Sequence, residues 1–259
     1  MLIDTHTHLY VTDAFPDGGG SAVERAVEAG VGMMIFPAIS LREAEAQLSL
    51  HHRYPDCTRV AHGLHPTELN PSDWRCETDD IFARFADEKS VAVGEIGVDL
   101  YWDSTHASEQ MDAFGYQLDL ASRAGLPVIV HSRNALEETL HVARLMGADC
   151  PRLLFHSFTY GAAEAARVME ELPDAMFGFN GVITFRNADE VRAGAACVGI
   201  GRIVSETDSP YLSPVPFRGK TNESSRLPLI AEGIARATGT DLRLAEEKLE
   251  ANARRFFRL

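Results

Sequence analysis

The chain has 259 residues, of which 24 are Lys or Arg and 38 are Asp or Glu, so its formal charge is −14 with histidines counted as neutral. A negative field of this strength repels phosphate, which argues against a general binder of nucleic acids or anionic membranes. Hydrophobic residues make up 45% and charged residues 24%, a globular composition that does not support a disordered or fibrous class.

The apolar runs are too short to cross a membrane, which takes about 20 residues. The first residues do not have the basic and apolar regions of a signal peptide, so we expect a cytoplasmic protein. The cysteines Cys57, Cys76, Cys150 and Cys197 are far apart in the sequence. They form no close pair typical of a zinc ribbon or a redox motif, and we expect reduced, mostly buried thiols.

Eight short apolar segments predict parallel strands. Their apolar residues run almost continuously instead of alternating, which is typical of strands that are buried on both faces. In chain order they are Leu2–Thr5, Val31–Pro37, Arg59–Gly63, Val91–Ile96, Pro127–Val130, Leu153–Phe155, Met176–Phe179 and Ile203–Ser205.

Segments with helical spacing of apolar residues lie between these strands. They are Ser21–Ala29, Leu41–Arg53, Asp80–Glu88, Glu109–Ala124, Leu136–Met146, Ala162–Leu172 and Leu242–Phe257. Alternation of strands and helices over this length predicts an α/β protein with a (β/α)8 TIM barrel, residues 1–259 forming a single domain. A doubly wound sheet is the alternative, but the first strand is not followed by a Gly-rich nucleotide-binding turn.

Barrel enzymes place their catalytic groups at the carboxyl ends of the strands. Five of the predicted strands supply imidazoles or carboxylates there, namely His6, His8, Glu95, His131, His156 and Asp208. Residues two apart in a strand point to the same side, so His6 and His8 can bind one ion. Six ligands are too many for one catalytic ion with an open position, but they suit two ions if Glu95 bridges them. The imidazoles favour zinc, manganese, nickel or cobalt, with magnesium also allowed.

Several motifs make the chain similar to a known family along nearly its whole length. The matching stretches are Ile3–Leu9, Gly63–Pro66, Val93–Asp99, Gln110–Arg133, Phe155–Phe158, Gly181–Phe185, Glu206–Leu212, Pro216–Glu223 and Asn252–Ala253. With these motifs the chain resembles the TatD family of metal-dependent deoxyribonuclease-like hydrolases, a branch of the amidohydrolase-type barrels.

The resemblance implies particular roles for the residues at the strand ends. One metal would be held by His6, His8, Glu95 and Asp208, and a second by Glu95, His131 and His156. His65 matches a position near the substrate phosphate. One departure is Thr67, which stands where many relatives have another histidine; it removes no metal ligand but affects the substrate side of the site.

These residues lead to the hypothesis of two-metal hydrolysis of a phosphodiester bond, as in a deoxyribonuclease or 3′-exonuclease. The metals would activate a water molecule, and Asp208 would orient it and accept its proton, with Glu95 between the ions. Arg218 and Lys220 are candidate phosphate contacts, because loops after the last two strands of a barrel often bind phosphate. The expected substrates are nucleic-acid ends or a small phosphate ester, because the acidic surface disfavours binding along a long duplex. We expect no membrane association and no obligate protein partner.

Alternative readings stay open at this point. The same metals could serve hydrolysis of a phosphomonoester or of an aminoacyl ester on tRNA, and a non-catalytic metal-binding protein is the third hypothesis. Tyr101 and Trp102 could stack on a base or merely cap the barrel. Arg133 could bind phosphate or form a salt bridge within the barrel, and Asp4 could support the metal ligands or be a buried acid.

Overall fold

The computed structural model describes all 259 residues and contains eight strands in one parallel sheet, ordered as in the chain. The strands are β1 (Leu2–Asp4), β2 (Val31–Ala38), β3 (Thr58–His62), β4 (Ala92–Asp99), β5 (Val128–Arg133), β6 (Leu153–Phe155), β7 (Met176–Phe179) and β8 (Ile203–Ser205). The prediction of a (β/α)8 barrel is confirmed. Continuous apolarity predicted these strands because both faces of the sheet are covered, and every residue of β4 is buried.

Nine α-helices alternate with or follow the strands. They are α1 (Gly20–Glu28), α2 (Leu41–Arg53), α3 (Trp74–Arg84), α4 (Ala107–Ala124), α5 (Leu136–Met146), α6 (Ala162–Glu171), α7 (Asp189–Val198), α8 (Leu227–Thr238) and α9 (Leu242–Phe257). None of them is long and apolar enough to cross a membrane.

Two of these helices were not predicted, and a third is displaced. No helix was predicted around Pro228, yet α8 begins at Leu227, because proline is tolerated in the first turn, where the helix needs no amide donor. Helix α7 is rich in small residues and has a weak apolar pattern. Helix α3 begins at Trp74 and ends at Arg84, whereas Asp80–Glu88 was predicted. Beyond its end, Phe85 stacks on the ring of His62 instead of continuing the helix.

The chain divides into two compact units by density of contacts. The first consists of Met1–Phe36, Ala46–Arg59 and Ser157–Leu259, and the second of Pro37–Glu45 and Val60–His156. In the first unit, α8 packs between α7 and α9, and β1 pairs with β2. In the second, β4 pairs with β3 and β5, and α4 packs on β4.

Strand β4 is longer than the sequence predicted, which changes the position of Glu95. Pairing with β5 continues from Ile96 through Asp99, opposite Val130 through Arg133. Gly97 allows this close approach, because a Cβ at this position, where φ is 150°, would lie 1.9 Å from the carbonyl oxygen of His131. Glu95 therefore lies within the strand, and Asp99 ends it.

The four cysteines are free thiols, as expected from their spacing. The expectation that they are mostly buried is wrong. Cys76 and Cys197 are exposed, and Cys57 and Cys150 are half-buried. Both exposed cysteines lie on helices, where solvent-facing positions tolerate a small side chain at little cost.

Candidate active site

The first group of candidate ligands lies in the first compact unit, where β1 and β8 end. The Nε2 atoms of His6 and His8 are 3.0 Å apart. Each of them is 3.7 Å from Oδ1 of Asp208. Both histidines are buried, so three ligand atoms converge in a place with little access to water. We call His6, His8 and Asp208 the first cluster.

Asp208 reaches this position from a turn that follows β8. Its φ of 55° is left-handed, and its amide donates to the carbonyl oxygen of His6 at 2.9 Å. The preceding residue, Thr207, donates from its amide (2.9 Å) and its hydroxyl (2.6 Å) to the carboxyl of Asp4. Asp4 is fully buried, and burial raises its pKa to about 7 in spite of these hydrogen bonds. Asp4 thus holds the turn that carries a candidate ligand.

Tyr10 supports the imidazole of His8. Its hydroxyl lies 2.8 Å from Nδ1 of His8, and its side chain is 1% exposed. A partner at Nδ1 fixes the ring orientation and leaves Nε2 to face His6 and Asp208. The first cluster therefore has a buried hydroxyl behind one of its imidazoles.

The second group of candidate ligands surrounds Glu95 in the second unit. One carboxylate oxygen, Oε1, lies 2.7 Å from Nδ1 of His131, 3.1 Å from Nε2 of His156 and 3.3 Å from Nε2 of His65. The Glu95 residue is 3% exposed. We call Glu95, His131 and His156, with His65 beside them, the second cluster.

His131 is held between two carboxylates. Its Nδ1 faces Glu95, and its Nε2 lies 2.8 Å from Oδ2 of Asp99. Burial opposes a charge on this ring, but the hydrogen bonds with Asp99 and Glu95 prevail and raise the pKa of His131. Burial would likewise raise the pKa of Asp99, yet hydrogen bonds from His131 and from the amides of Trp102 and Tyr101 lower it. Asp99 is thus an ionised acceptor behind a candidate ligand.

Two glutamines attach the backbone of this unit to α4. Gln110 accepts from the amide of Asp99 at 2.7 Å and donates to its carbonyl oxygen at 3.2 Å. Gln117 makes the same pair of contacts with Leu64, at 2.8 and 3.1 Å. Because these amides are buried and bidentate, the backbone beside Asp99 and beside His65 is fixed in position.

His65 differs from the other imidazoles of the second cluster. Its Nδ1 accepts a hydrogen bond from the amide of Thr67 at 3.2 Å, with the Thr67 hydroxyl 2.7 Å away. This assigns the ring proton to Nε2, which faces Glu95. Burial lowers the pKa of His65, so the ring is a neutral N–H donor. A donor of this kind suits a phosphate oxygen better than it suits a cation, and Thr67 sets the tautomer.

The candidate phosphate contacts Arg218, Lys220 and Arg133 belong to neither the first nor the second cluster. Arg218 and Lys220 lie exposed on the loop after β8. The guanidinium of Arg218 is 4.0 Å from the ring centroid of Phe185, and Nζ of Lys220 is 5.8 Å from that of Phe217. Arg133 is exposed at the end of β5, where it packs on an aromatic ring. These cations are free of a buried ion pair and accessible to a phosphate.

Sequence reasoning missed Tyr10 and Asp99. Asp99 could have been found from the spacing that selected the candidate ligands, because residues two or four apart in a strand share a side and Asp99 follows Glu95 by four. The prediction that β4 ended at Ile96 hid this relationship. Tyr10 lies in a turn beyond β1, where the spacing rule does not apply.

Both clusters have the chemistry that a divalent metal requires. Imidazole nitrogens and carboxylate oxygens are ligands of zinc and similar first-row metals. Neighbouring ligand atoms bonded to one ion at about 2.0–2.2 Å must lie roughly 3–3.5 Å apart. The 3.0 Å between the nitrogens of His6 and His8 fits this spacing, and the 3.7 Å to Asp208 needs only a small adjustment. The ligand groups therefore suit a divalent metal.

A (β/α)8 barrel with such clusters at its strand ends is an arrangement that metal-dependent hydrolases use. Residues 3–258 match the model of the family described as TatD related DNase. An uncharacterized metal-dependent hydrolase of Bacillus subtilis, YabD, is 32% identical over the full length of both chains. The 3′-5′ ssDNA/RNA exonuclease TatD of Cronobacter sakazakii is 33% identical over 91% of this chain and 90% of its own.

The fold of a solved relative agrees with these matches. The crystal structure of YJJV, a TatD homologue of Escherichia coli K12, superposes with a TM-score of 0.84 at 28% identity, covering 100% of this chain and 98% of the other. The chain belongs to the TatD family of metal-dependent hydrolases. This membership confirms the resemblance inferred from the motifs.

Proposed function

We propose that this protein is a metal-dependent nuclease that cleaves phosphodiester bonds at the ends of single-stranded DNA or RNA. The observation that carries the proposal is the pairing of carboxylates with imidazoles in both clusters, at 2.7 to 3.7 Å, with Glu95 buried and Asp208 partly exposed. Such a set of ligands suits hydrolysis at a phosphorus centre, where negative charge must be neutralised. The substrate class is supported by relatives that are named as exonucleases of single-stranded DNA and RNA.

The proposed ligands divide between two ions. His6, His8 and Asp208 would hold one ion, His131 and His156 the other, and Glu95 would be shared. When bound, the ions would neutralise charge on the phosphoryl group and acidify the attacking water. Because imidazoles predominate, zinc, manganese, nickel or cobalt is expected before magnesium.

The protein's own groups would handle the protons. Asp208, with a side chain 15% exposed, would accept a proton from the attacking water as the new bond from oxygen to phosphorus forms. The bond from phosphorus to the leaving sugar oxygen breaks, and that oxygen takes up a proton from solvent, to which Asp208 releases the proton that it accepted. The Nε2 proton of His65 would be donated in a hydrogen bond to a non-bridging phosphate oxygen, where charge increases.

The charge of the chain limits the footprint of the substrate. A formal charge of −14 repels a long phosphate backbone, so contacts are expected to be local. Arg218 and Lys220, exposed on the loop after β8, would bind the phosphates that flank the cleaved bond. A short single-stranded end fits these constraints better than a duplex does.

The test measures bound metal together with hydrolysis of end-labelled single-stranded DNA and RNA. Asp208→Asn should lower the rate by roughly 10²–10⁴-fold, as expected for the loss of a general base. Glu95→Gln should lower both activity and metal content. Glu247→Gln, on the exposed side of α9, is the matched control and should change neither.

Two results would contradict the proposal. One is hydrolysis of small phosphomonoesters or of aminoacyl-tRNA by a metal-loaded enzyme that leaves every oligonucleotide intact. The other is full activity of Glu95→Gln with a full complement of metal, which would remove Glu95 from the shared position.

A further inference from the structure

Two large aromatic side chains are exposed just after β4. Tyr101 is 54% exposed and Trp102 is 68% exposed, and their ring centroids lie 5.1 Å apart in an edge-to-face arrangement. The guanidinium of Arg133 is 3.9 Å from the Tyr101 ring centroid and 5.4 Å from that of Trp102. We call these three residues the aromatic platform. Trp102 and Tyr101 do not cap a buried core.

The aromatic platform is attached to the second cluster through one carboxyl group. Oδ1 of Asp99 accepts the amide hydrogens of Tyr101 and Trp102, both at 2.9 Å. Oδ2 of the same residue contacts Nε2 of His131. Asp99 is also paired with Arg133 in the register of β4 and β5. The platform is therefore held beside a proposed metal ligand and at the carboxyl ends of the two strands.

The chemistry of the platform is that of a site for a flat ring next to an anion. Arg133 lies over Tyr101, whereas most of the Trp102 surface is open to solvent. An aromatic face binds a nucleobase by stacking, which depends little on the base identity, and a guanidinium binds the adjacent phosphate. In a strongly acidic protein, stacking adds more to the affinity for a nucleic-acid strand than long-range electrostatic attraction does, because stacking does not require a positive field.

We infer that the aromatic platform binds an unpaired base of single-stranded nucleic acid, next to the phosphodiester bond that the clusters would cleave. This inference rests on the proposed function and deepens it, since it assigns a binding site to a base beside the cleaved bond. A base within a duplex is already stacked on both faces and does not present one to Trp102. The partner is thus a single strand with at least one base free to stack.

The test compares oligonucleotides that have the same phosphates and differ in their bases. The chain has two tryptophans, so Trp74→Phe leaves Trp102 as the only tryptophan of the metal-loaded protein, and excitation at the red edge of the tryptophan band excites it without the tyrosines. A short phosphorothioate single strand, which resists cleavage, should quench Trp102. The same strand with abasic sites should bind about tenfold more weakly, and a duplex should give little quenching.

Binding of labelled strands to variants provides the second readout. Trp102→Ala should raise the Kd for the base-containing strand about tenfold and leave the Kd for the abasic strand within about twofold. Trp102→Phe, which keeps a smaller aromatic face, should recover part of the loss. Trp74→Phe alone is the matched control and should bind both strands as the unmodified protein does.

The outcomes separate this inference from the proposed function. Quenching that requires bases, without cleavage of any natural strand, would support the platform and contradict the nuclease. Cleavage with equal affinity for normal and abasic strands, unchanged in Trp102→Ala, would overturn the platform and leave the nuclease intact. A response of Trp102 to phosphatidylcholine or anionic vesicles, with none to oligonucleotides, would also overturn it.

Discussion

Oδ2 of Asp99 lies 2.8 Å from Nε2 of His131, and the opposite ring nitrogen lies 2.7 Å from Glu95. Asp99 cannot rotate freely, because its other oxygen accepts two backbone amides. A carboxylate at Nε2 retains a proton on that nitrogen and directs Nδ1 toward Glu95. Asp99 thereby sets the tautomer of a candidate metal ligand.

Asp99→Asn tests this relationship. The two amides should keep the Asn oxygen where Oδ1 is now, so its NH2 group would face Nε2 of His131 and move the ring proton to Nδ1. We expect metal affinity to fall by about 10–100-fold, measured by competition with a chromophoric chelator. Asp103→Asn, in the exposed loop nearby, is the control and should bind metal normally. Unchanged affinity in Asp99→Asn would show that the tautomer does not matter.

Tyr10→Phe removes the hydroxyl behind His8 and keeps the packing of the ring. The loss of one buried hydrogen bond should lower the free energy of unfolding by about 1 kcal/mol and weaken metal binding severalfold. Urea unfolding of the metal-free protein measures the change in the free energy of unfolding, and metal titration measures the change in metal affinity. Tyr116→Phe, which removes a hydroxyl bonded to Asp79 at the surface, should leave metal binding as it is. Equal metal affinity in both variants would remove Tyr10 from the site.

Thr207→Val removes the hydroxyl that donates to Asp4 and conserves the volume of the side chain. Asp4 would lose a 2.6 Å hydrogen bond while it remains fully buried, so the free energy of unfolding should fall by about 1–3 kcal/mol. The turn that carries Asp208 should loosen, with a lower rate of hydrolysis. Thr221→Val, at an exposed position of the loop after β8, serves as the control. The same free energy of unfolding for Thr207→Val and Thr221→Val would show that the Thr207 hydroxyl does not stabilise buried Asp4.

His62 makes stability depend on pH. It is buried between Phe82 and Phe85, and burial lowers its pKa to about 4 from the ordinary 6.5. Between these two values the unfolded chain binds a proton that the folded chain does not. His62 should therefore contribute a decrease of about 1.4 kcal/mol per pH unit to the free energy of unfolding as the pH falls from 6.5 to 4, and its contribution should be absent above 6.5. Buried Asp4, whose pKa is raised to about 7, contributes with the opposite sign below pH 7, so the effect of His62 is the difference between the unmodified protein and a variant without this histidine.

His62→Phe should abolish that part of the pH dependence. Urea unfolding of both proteins at pH 7 and pH 5, with EDTA present so that metal loss does not contribute, provides the comparison. His106→Phe, which replaces a partly exposed histidine, should retain the slope of the unmodified protein. A slope unchanged in His62→Phe would assign the acid sensitivity to other groups.

The sequence predicted all eight strands and most helices, because periodicity and continuous apolarity are local properties. It missed α8, where a proline occupies the first turn, and α7, whose small residues give a weak pattern. It also ended β4 at Ile96, because Gly97 is a frequent end signal. The pairing that continues to Asp99 depends on His131, more than thirty residues away in the chain.

The sequence by itself determined the barrel class and the residues able to bind a metal, since strand order and ligand chemistry are written in the residue types and their spacing. Only the tertiary structure decided how those residues are oriented. It placed His131 between Glu95 and Asp99, assigned the proton of His65 through Thr67, and exposed Trp102 beside Arg133. These relationships arise from strand register and from hydrogen bonds between distant segments, and no local pattern specifies either of them.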